Sequence, residues 1–310
     1  MPGPESLSRP ARLRPGAATE DGRRGADRIL RRNATKAAGA ARGYGSDFVR
    51  ALAKGLAVIE AFDARSPSMT LSEVAKKTGL SRGTARRLLL TLVDLGYAGF
   101  DGKYFGLQPR ALNLGFAYLH SQKLWQLGQP YMVQLVERVH ESCSIAVLDS
   151  SEIVYVARVP TSVRIMSINL GIGTRLPAFA TSMGRVLLAG LPVEEVDRLL
   201  EQASPLAKYT PKTVVDATAL LREIEAVRRQ GWALVDQELE MGLRSIAVPI
   251  ADAGDRVIAA LNIGTHASRW PIQKLIQEVL PLLKDTAASI SGLLAPERHK
   301  TVQRKVKGER

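Results

Sequence analysis

The sequence predicts an α+β chain in which an N-terminal winged helix-turn-helix is joined by a linking helix to a larger unit of helices around an antiparallel sheet. Three observations predict it. Two short helical patterns meet at Gly79, an aromatic hairpin pattern follows at once, and the remainder alternates hairpin strands with amphipathic helices.

Composition frames the reading. A chain of 310 residues that is 45% hydrophobic fits two domains better than one. No run of about 20 apolar residues exists to span a bilayer, and the Arg- and Pro-rich start lacks the apolar stretch of a secretory signal, so a cytoplasmic protein without a membrane partner is expected. The single cysteine, Cys143, excludes an internal disulfide and reads as a buried small residue rather than a catalytic thiol. His120, His140, His266 and His299 are too scattered for a zinc site, so neither metal nor cofactor is expected.

The net charge of +13 is unevenly spread. Residues 1–45 carry +6, residues 46–122 carry +4, residues 123–295 carry −1 and residues 296–310 carry +4. Charge confined to the tails and the small N-terminal unit suits a chain that meets a phosphate backbone at one end. Residues 1–45 and 296–310 hold too little apolar surface to offset the entropy of ordering, so both are expected to be disordered basic arms. Such arms either add nonspecific DNA affinity or only solubilise.

The DNA-binding unit is expected over residues 46–107. Ser46 is a candidate N-cap, followed by Phe48, Leu52, Leu56 and Ile59 on one helical face. Thr70-Leu71-Ser72-Glu73 has the form of a capping box opening a helix that runs to about Thr78. Gly79 supplies a tight turn, Ser81 caps a third helix, and Ala85, Leu88, Leu89, Leu92 and Leu95 give that helix its apolar face. Its other face carries Arg82, Gly83, Thr84, Arg86, Arg87 and Thr91. In a helix-turn-helix these positions, with Ser81, reach base edges, where Arg pairs with guanine and Thr meets thymine methyls. Tyr97 to Leu107 then reads as a wing hairpin turning at Asp101-Gly102, with Lys103 at its tip for phosphate or minor groove and the aromatics as packing.

Residues 108–122 predict a linking helix through Leu112, Leu114, Phe116 and Leu119. Residues 123–295 form the larger unit. Helix is expected from Leu124 to about Ser142, near Val193–Ala203, over Asp216–Gln230 and from Pro271 to about Leu294. Strands are expected at Ser144–Asp149, Ile153–Val159, Arg164–Leu170, Trp232–Asp236, Ser245–Ala251 and Arg256–Ile263, which makes a two-layer arrangement.

With those motifs assembled, residues 46 to about 294 resemble the IclR-type regulators. The likeness rests on Leu52-Ala53-Lys54-Gly55-Leu56 and on the run Gly79 to Leu89 (GLSRGTARRLL). In the larger unit it rests on Leu176 to Ala189 (LPAFATSMGRVLLA) and Gly231 to Ile250 (GWALVDQELEMGLRSIAVPI). The resemblance implies a GAF-like effector domain, a dimer or a dimer of dimers on a double-stranded inverted-repeat operator, and control of a catabolic operon by a small metabolite. Many relatives carry His, Lys and Cys where Phe179, Arg185 and Ser245 stand, so pocket details do not transfer unchanged. The Pro177-Ala178-Phe179-Ala180-Thr181-Ser182-Met183-Gly184-Arg185 variant is similar to the branch governing the β-ketoadipate pathway and 4-hydroxybenzoate or protocatechuate breakdown.

Carried over by motif, the small carboxylic-acid effector is expected to meet Thr181, Ser182 and Met183 at a helix start, Asp236, Leu243 and Ser245 in the second signature, and Asn262 and Gly264 on the last strand. Thr181 or Ser182 can cap that helix, and its free N–H groups suit a carboxylate. Two other classes compete. An enzyme using Asp236, Glu238 and Glu240 lacks any accompanying nucleophile, phosphate loop or metal cluster, so no catalytic residue is assigned. A purely architectural DNA binder leaves about 170 neutral residues without a purpose.

Overall fold

A computed structural model describes residues 47–121, 124–161 and 170–294. Ser46, both basic arms and most of the expected strand Arg164–Leu170 lie outside the described residues.

The first unit runs α1 (Arg50–Glu60), β1 (Ser68–Met69), α2 (Leu71–Thr78), α3 (Arg82–Asp94), β2 (Ala98–Phe100) and β3 (Phe105–Leu107). The capping box forms as read. Thr70 Oγ1 accepts from the Glu73 amide while Glu73 accepts from the Thr70 amide at 2.8 Å, so two exposed helix-start donors are satisfied reciprocally. Gly79 closes α2 in the left-handed region at φ 68°, which a side chain would disfavour, and Ser81 opens α3 by accepting from the Thr84 amide. Val58, Val74, Leu89, Leu92, Met69 and Phe105 close the small core. The sheet order β1-β3-β2 makes the wing three-stranded.

Three details differ from expectation here. The wing turns at Gly102-Lys103, one residue later than Asp101-Gly102, because the Asp101 carboxylate accepts from the Lys103 and Tyr104 amides. Phe100 and Tyr104 stay exposed, although Phe100 stacks on the buried Phe105. Val49, which has no side-chain cap bond, precedes α1, and the helix buries Val58 while Phe48, Leu52 and Leu56 remain exposed, as does Leu95 at the C-terminal end of α3.

A 3-10 turn (Pro109–Ala111) leads into α4 (Leu112–Ser121), the linking helix. The larger unit follows with α5 (Leu124–Val139), β4 (Ser142–Asp149), β5 (Glu152–Val159), β6 (Arg175–Pro177), a 3-10 turn (Ala178–Ala180), α6 (Ser182–Ala189), α7 (Val193–Ala203), α8 (Ala217–Gln230), β7 (Ala233–Asp236), β8 (Leu243–Ala251) and β9 (Val257–His266). The last helix, α9, enters at Ile272–Lys274, passes through a π-helical segment at Leu275–Val279 and continues over Leu280–Leu294. Helix α5 stops at Val139 rather than Ser142, since His140 is left-handed at φ 56° and Ser142 already pairs with Gly264. Strand β6, absent from the sequence reading, is too short for a periodic signal.

The sheet is antiparallel throughout, in the order β6-β5-β4-β9-β8-β7. It has helices on both faces, so the unit has three layers where two were expected. Strand parity explains why. Ile145, Ile246, Val248, Ile250, Leu261 and Ile263 project to one face and pack under α5 and α9. Their neighbours Ala146, Ala247 and Ala260 project to the other, where small side chains let α6 come close and α7 and α8 close the second core.

Candidate functional site

The first candidate surface is the open face of α3. Arg82, Gly83, Arg86, Arg87 and Thr91 are exposed and Thr84 is half-buried, so the helix presents all six positions away from its core. Local hydrogen bonds occupy the hydroxyls: Ser81 Oγ donates to Thr84 Oγ1 at 3.0 Å, and Thr91 Oγ1 donates to the Arg87 carbonyl at 2.9 Å. The guanidinium groups are not so occupied. None of Arg82, Arg86 and Arg87 has an ion-pair partner among the described residues, which leaves their full charge for an external anion. Lys103 lies at the wing tip with its ammonium 5.0 Å from the Tyr104 ring centroid. Hydrogen bonds from the Thr70 amide and hydroxyl hold Glu73 below the ordinary glutamate range, and Lys103 adds a smaller pull.

The second candidate site lies where α6 meets the small-residue face of the large sheet. Thr181 is the N-cap: its Oγ1 accepts from the Gly184 amide at 3.1 Å and its own hydroxyl reaches the Pro177 or Ala178 carbonyl. Gly184 is required for this junction, since a Cβ there would sit 2.0 Å from the Ala178 carbonyl oxygen. Ser182 Oγ donates to Ser245 Oγ at 2.9 Å, and Met183 is buried against the same core as the half-buried Leu243. Asn262 lies between Ser144 on β4 and Ala247 on β8, and Gly264 between Ser142 and Ser245. By parity Leu243, Ser245, Asn262 and Ser144 share the face of Ala260.

Two observations mark this patch as more than packing. Asn262 Oδ1 is buried with no hydrogen-bond donor among the described residues, a condition that costs free energy unless a donor reaches it. A Cβ built on Gly264 meets nothing within 4 Å among the described residues, which leaves room there beside Ser245 and Asn262.

Asp236 does not join the group. Its register partner is Arg244, one residue out of phase with Ser245, so it projects from the opposite face, bonded to Arg244 at 2.7 Å and Lys212 at 2.8 Å. Burial raises its pKa, but the hydrogen bonds from Lys212, Arg244 and Gln237 outweigh that and leave it below the ordinary aspartate range. Glu238 is likewise engaged by Arg185, so two of the three carboxylates weighed as an acid/base set, Asp236 and Glu238, belong to separate ion pairs.

The sequence reading passed over Arg158. It sits on β5 opposite Ser144, faces the same side, and donates to Ser144 Oγ at 3.1 Å. Burial holds its guanidinium below the ordinary arginine range, and no carboxylate pairs with it among the described residues. The signal was present as a lone charge within the apolar strand run Ile153-Val154-Tyr155-Val156-Ala157-Arg158-Val159. Cys143 projects to the other core, fully buried, and burial pushes its thiol up, which fits an inert packing residue. No grouping of three or more potential metal ligands occurs among the described residues, and no described helix is long and apolar enough to cross a membrane.

A winged helix-turn-helix whose basic face has no ion-pair partner among the described residues, joined to a sheet unit with a buried polar patch, defines a DNA-binding transcriptional regulator. The chain belongs to the IclR family: residues 51–102 match the IclR helix-turn-helix domain, and residues 116–292 match the bacterial transcriptional regulator IclR C-terminal domain. It is 45% identical over 237 residues to the Pca regulon regulatory protein of Pseudomonas putida, covering 76% of this chain and 81% of that one. It is 40% identical over 252 residues to the p-hydroxybenzoate hydroxylase transcriptional activator of Acinetobacter baylyi, covering 80% and 93%. Among solved structures, an IclR homologue from Microbacterium hydrocarbonoxydans complexed with 4-hydroxybenzoate superposes with a TM-score of 0.68 at 29% identity, covering 79% of this chain and 98% of that chain.

Proposed function

We propose that this regulator reads an inverted-repeat operator as a pair of chains and is controlled by a small organic acid, a hydroxybenzoate or β-ketoadipate, held on the small-residue face of its large sheet. The observation that carries the effector reading is the buried, undonated Asn262 Oδ1 beside the open space over Gly264. Residues 46–107 serve as the DNA-binding unit, 108–122 as the link and 123–295 as the effector unit. The similarity to regulators named for Pca and p-hydroxybenzoate genes, and to a homologue complexed with 4-hydroxybenzoate, supports an aromatic acid or a product of its breakdown.

The site has two polar poles. One is Arg158 with Ser144; the other is the start of α6, with Ser182 and Ser245; Asn262, opposite Ser144 across β4 and β9, lies between them. A full guanidinium charge outweighs the roughly half charge of a helix N-terminus. The carboxylate therefore belongs on Arg158, and the α6 end takes the hydroxyl of a hydroxybenzoate or the second carboxylate of β-ketoadipate. Thr181 acts by capping, Leu243 and Met183 supply apolar walls, and Asp236 acts only by bracing β7 to β8.

Self-association has its own support. Val49, Leu52 and Leu56 around α1 and Leu112, Leu114, Phe116 and Tyr118 on α4 are 44–63% exposed, apolar surface that calls for a cover. A second copy meets that demand and sets two α3 helices on half-sites about one helical turn, or a multiple of it, apart. The cytoplasm is where operator and metabolite meet.

Titration calorimetry of the full chain with 4-hydroxybenzoate, protocatechuate and β-ketoadipate tests the effector reading. At least one acid binds, and Arg158→Ala weakens it by about 10- to 100-fold, the worth of a charged hydrogen bond. Native affinity in Arg158→Ala removes the anchor assignment, and no binding of any acid to the wild type removes the effector class. Footprinting that shows a single half-site bound by a monomer removes the symmetric reading.

A further inference from the structure

Arg185 is buried on α6, and its partners lie on the preceding 3-10 turn, on α8 and in the loop after β7. Its guanidinium makes three connections. Nε donates to the Phe179 carbonyl at 3.0 Å, Nη1 pairs with Glu223 of α8, and Nη2 donates to Glu238 Oε2 at 2.6 Å. Glu238 is the node of a further set: its Oε2 accepts from the Val214 amide at 3.1 Å, and its carbonyl accepts from Thr213 Oγ1 at 2.6 Å. The same loop is folded on itself, since the Gln237 amide donates to the Leu243 carbonyl at 2.7 Å and the Gly242 amide donates to Gln237 Oε1 at 3.1 Å.

The consequence is geometric. Phe179 belongs to the 3-10 turn that delivers Thr181 and Ser182, and Glu238 belongs to the loop that delivers Leu243 and Ser245. One guanidinium thus spans the two segments whose ends meet at the Ser182–Ser245 hydrogen bond. We propose that Arg185 is a positioning residue for effector recognition, setting the first turn of α6 against the start of β8 through Phe179 and Glu238 without touching the ligand. This rests on the effector reading above.

A planar fork with donors at fixed angles suits three acceptors in different directions, whereas a lysine offers one nitrogen at the end of a flexible chain. Arg185→Lys therefore keeps the charge that Glu238 needs and loses the geometry. Glu238→Gln is the second variant should the first fail to fold, and Glu223→Gln is the control, because Glu223 is 44% exposed and bonds only one side of the fork.

The test uses the full chain and two readouts. Calorimetry with 4-hydroxybenzoate, protocatechuate and β-ketoadipate should show affinity for the bound acid falling about tenfold or more in Arg185→Lys and Glu238→Gln but not in Glu223→Gln, with acid-free operator binding unchanged. Hydrogen exchange on the acid-free protein should show amides 182–185 and 237–242 losing protection together in the first two variants, while β9 stays protected. Affinity within about twofold of wild type would mean that Arg185 only packs, and overturns the proposal. If the wild type binds none of the acids the effector reading fails by itself, and exchange still decides the positioning role: protection unchanged in either segment overturns it.

Discussion

Ser182, the first residue of α6, donates a 2.9 Å hydrogen bond to Ser245 of β8, which lies 63 residues away along the chain. This contact ties a capped helix start to the strand beside Gly264. Gly264→Leu projects into the open space there, so it should abolish the response of operator binding to an active acid while operator affinity without acid is retained. Ser182→Ala should cost the acid only about 1 kcal/mol, because backbone amides remain. Ser182→Trp is the harsher block, since Ser182 is 1% exposed and the indole must displace its surroundings. Gel-shift titrations with and without acid check all three, and a normal acid response in Gly264→Leu puts the ligand elsewhere.

The unpaired guanidinium groups on α3 give a second prediction. Arg82→Ala or Arg86→Ala should weaken operator binding by about 1–3 kcal/mol if the side chain reads a guanine, with circular dichroism unchanged because both are exposed. Operator mobility shifts at wild-type concentrations in both variants would move base reading off α3.

Asp236 offers a pH-dependent test of the brace between β7 and β8. Its carboxyl is held below the ordinary aspartate range by Lys212 and Arg244, so the ionised form stabilises the fold above the unfolded-state pKa, and that stability is lost as pH falls through the lower folded value. Asp236→Asn should destabilise by about 1–3 kcal/mol near neutrality, leaving Arg244 half-satisfied in a mostly buried position. The gap between wild type and variant, measured by urea unfolding, should close below about pH 4. A gap that persists in acid means that the carboxylate's charge is not what braces the strands.

The N-terminal arm carries a net +6. Removing residues 1–45 should lower nonspecific DNA affinity and flatten its dependence on salt, since fewer counterions are released on binding. Filter binding across a salt series measures the slope, and an unchanged slope reduces the arm to a solubilising tail.

Local chemistry made much of this protein legible in sequence. The Thr70/Glu73 box, the Gly79 turn, the Ser81 cap and the basic face of α3 depend on spacings of three and four residues within one helix, which any reader of the chain can count. The hairpin β4–β5 and helices α7 and α8 were equally visible, because each carries its own period and its own ends. The patch around Ser182, Ser245, Asn262 and Gly264 was found by resemblance, and its physical reason was not local at all. What tertiary structure alone decided was parity and neighbourhood. Asp236 and Ser245 stand in one signature, yet register sends them to opposite faces of a sheet. Arg158 enters the site only because β5 pairs with β4 through Ser144, and β4 then pairs with β9 across more than a hundred residues to reach Asn262. The third layer follows from the same parity, since alternating large and small side chains on β4, β8 and β9 leave each face of the sheet to be covered by helices distant in sequence.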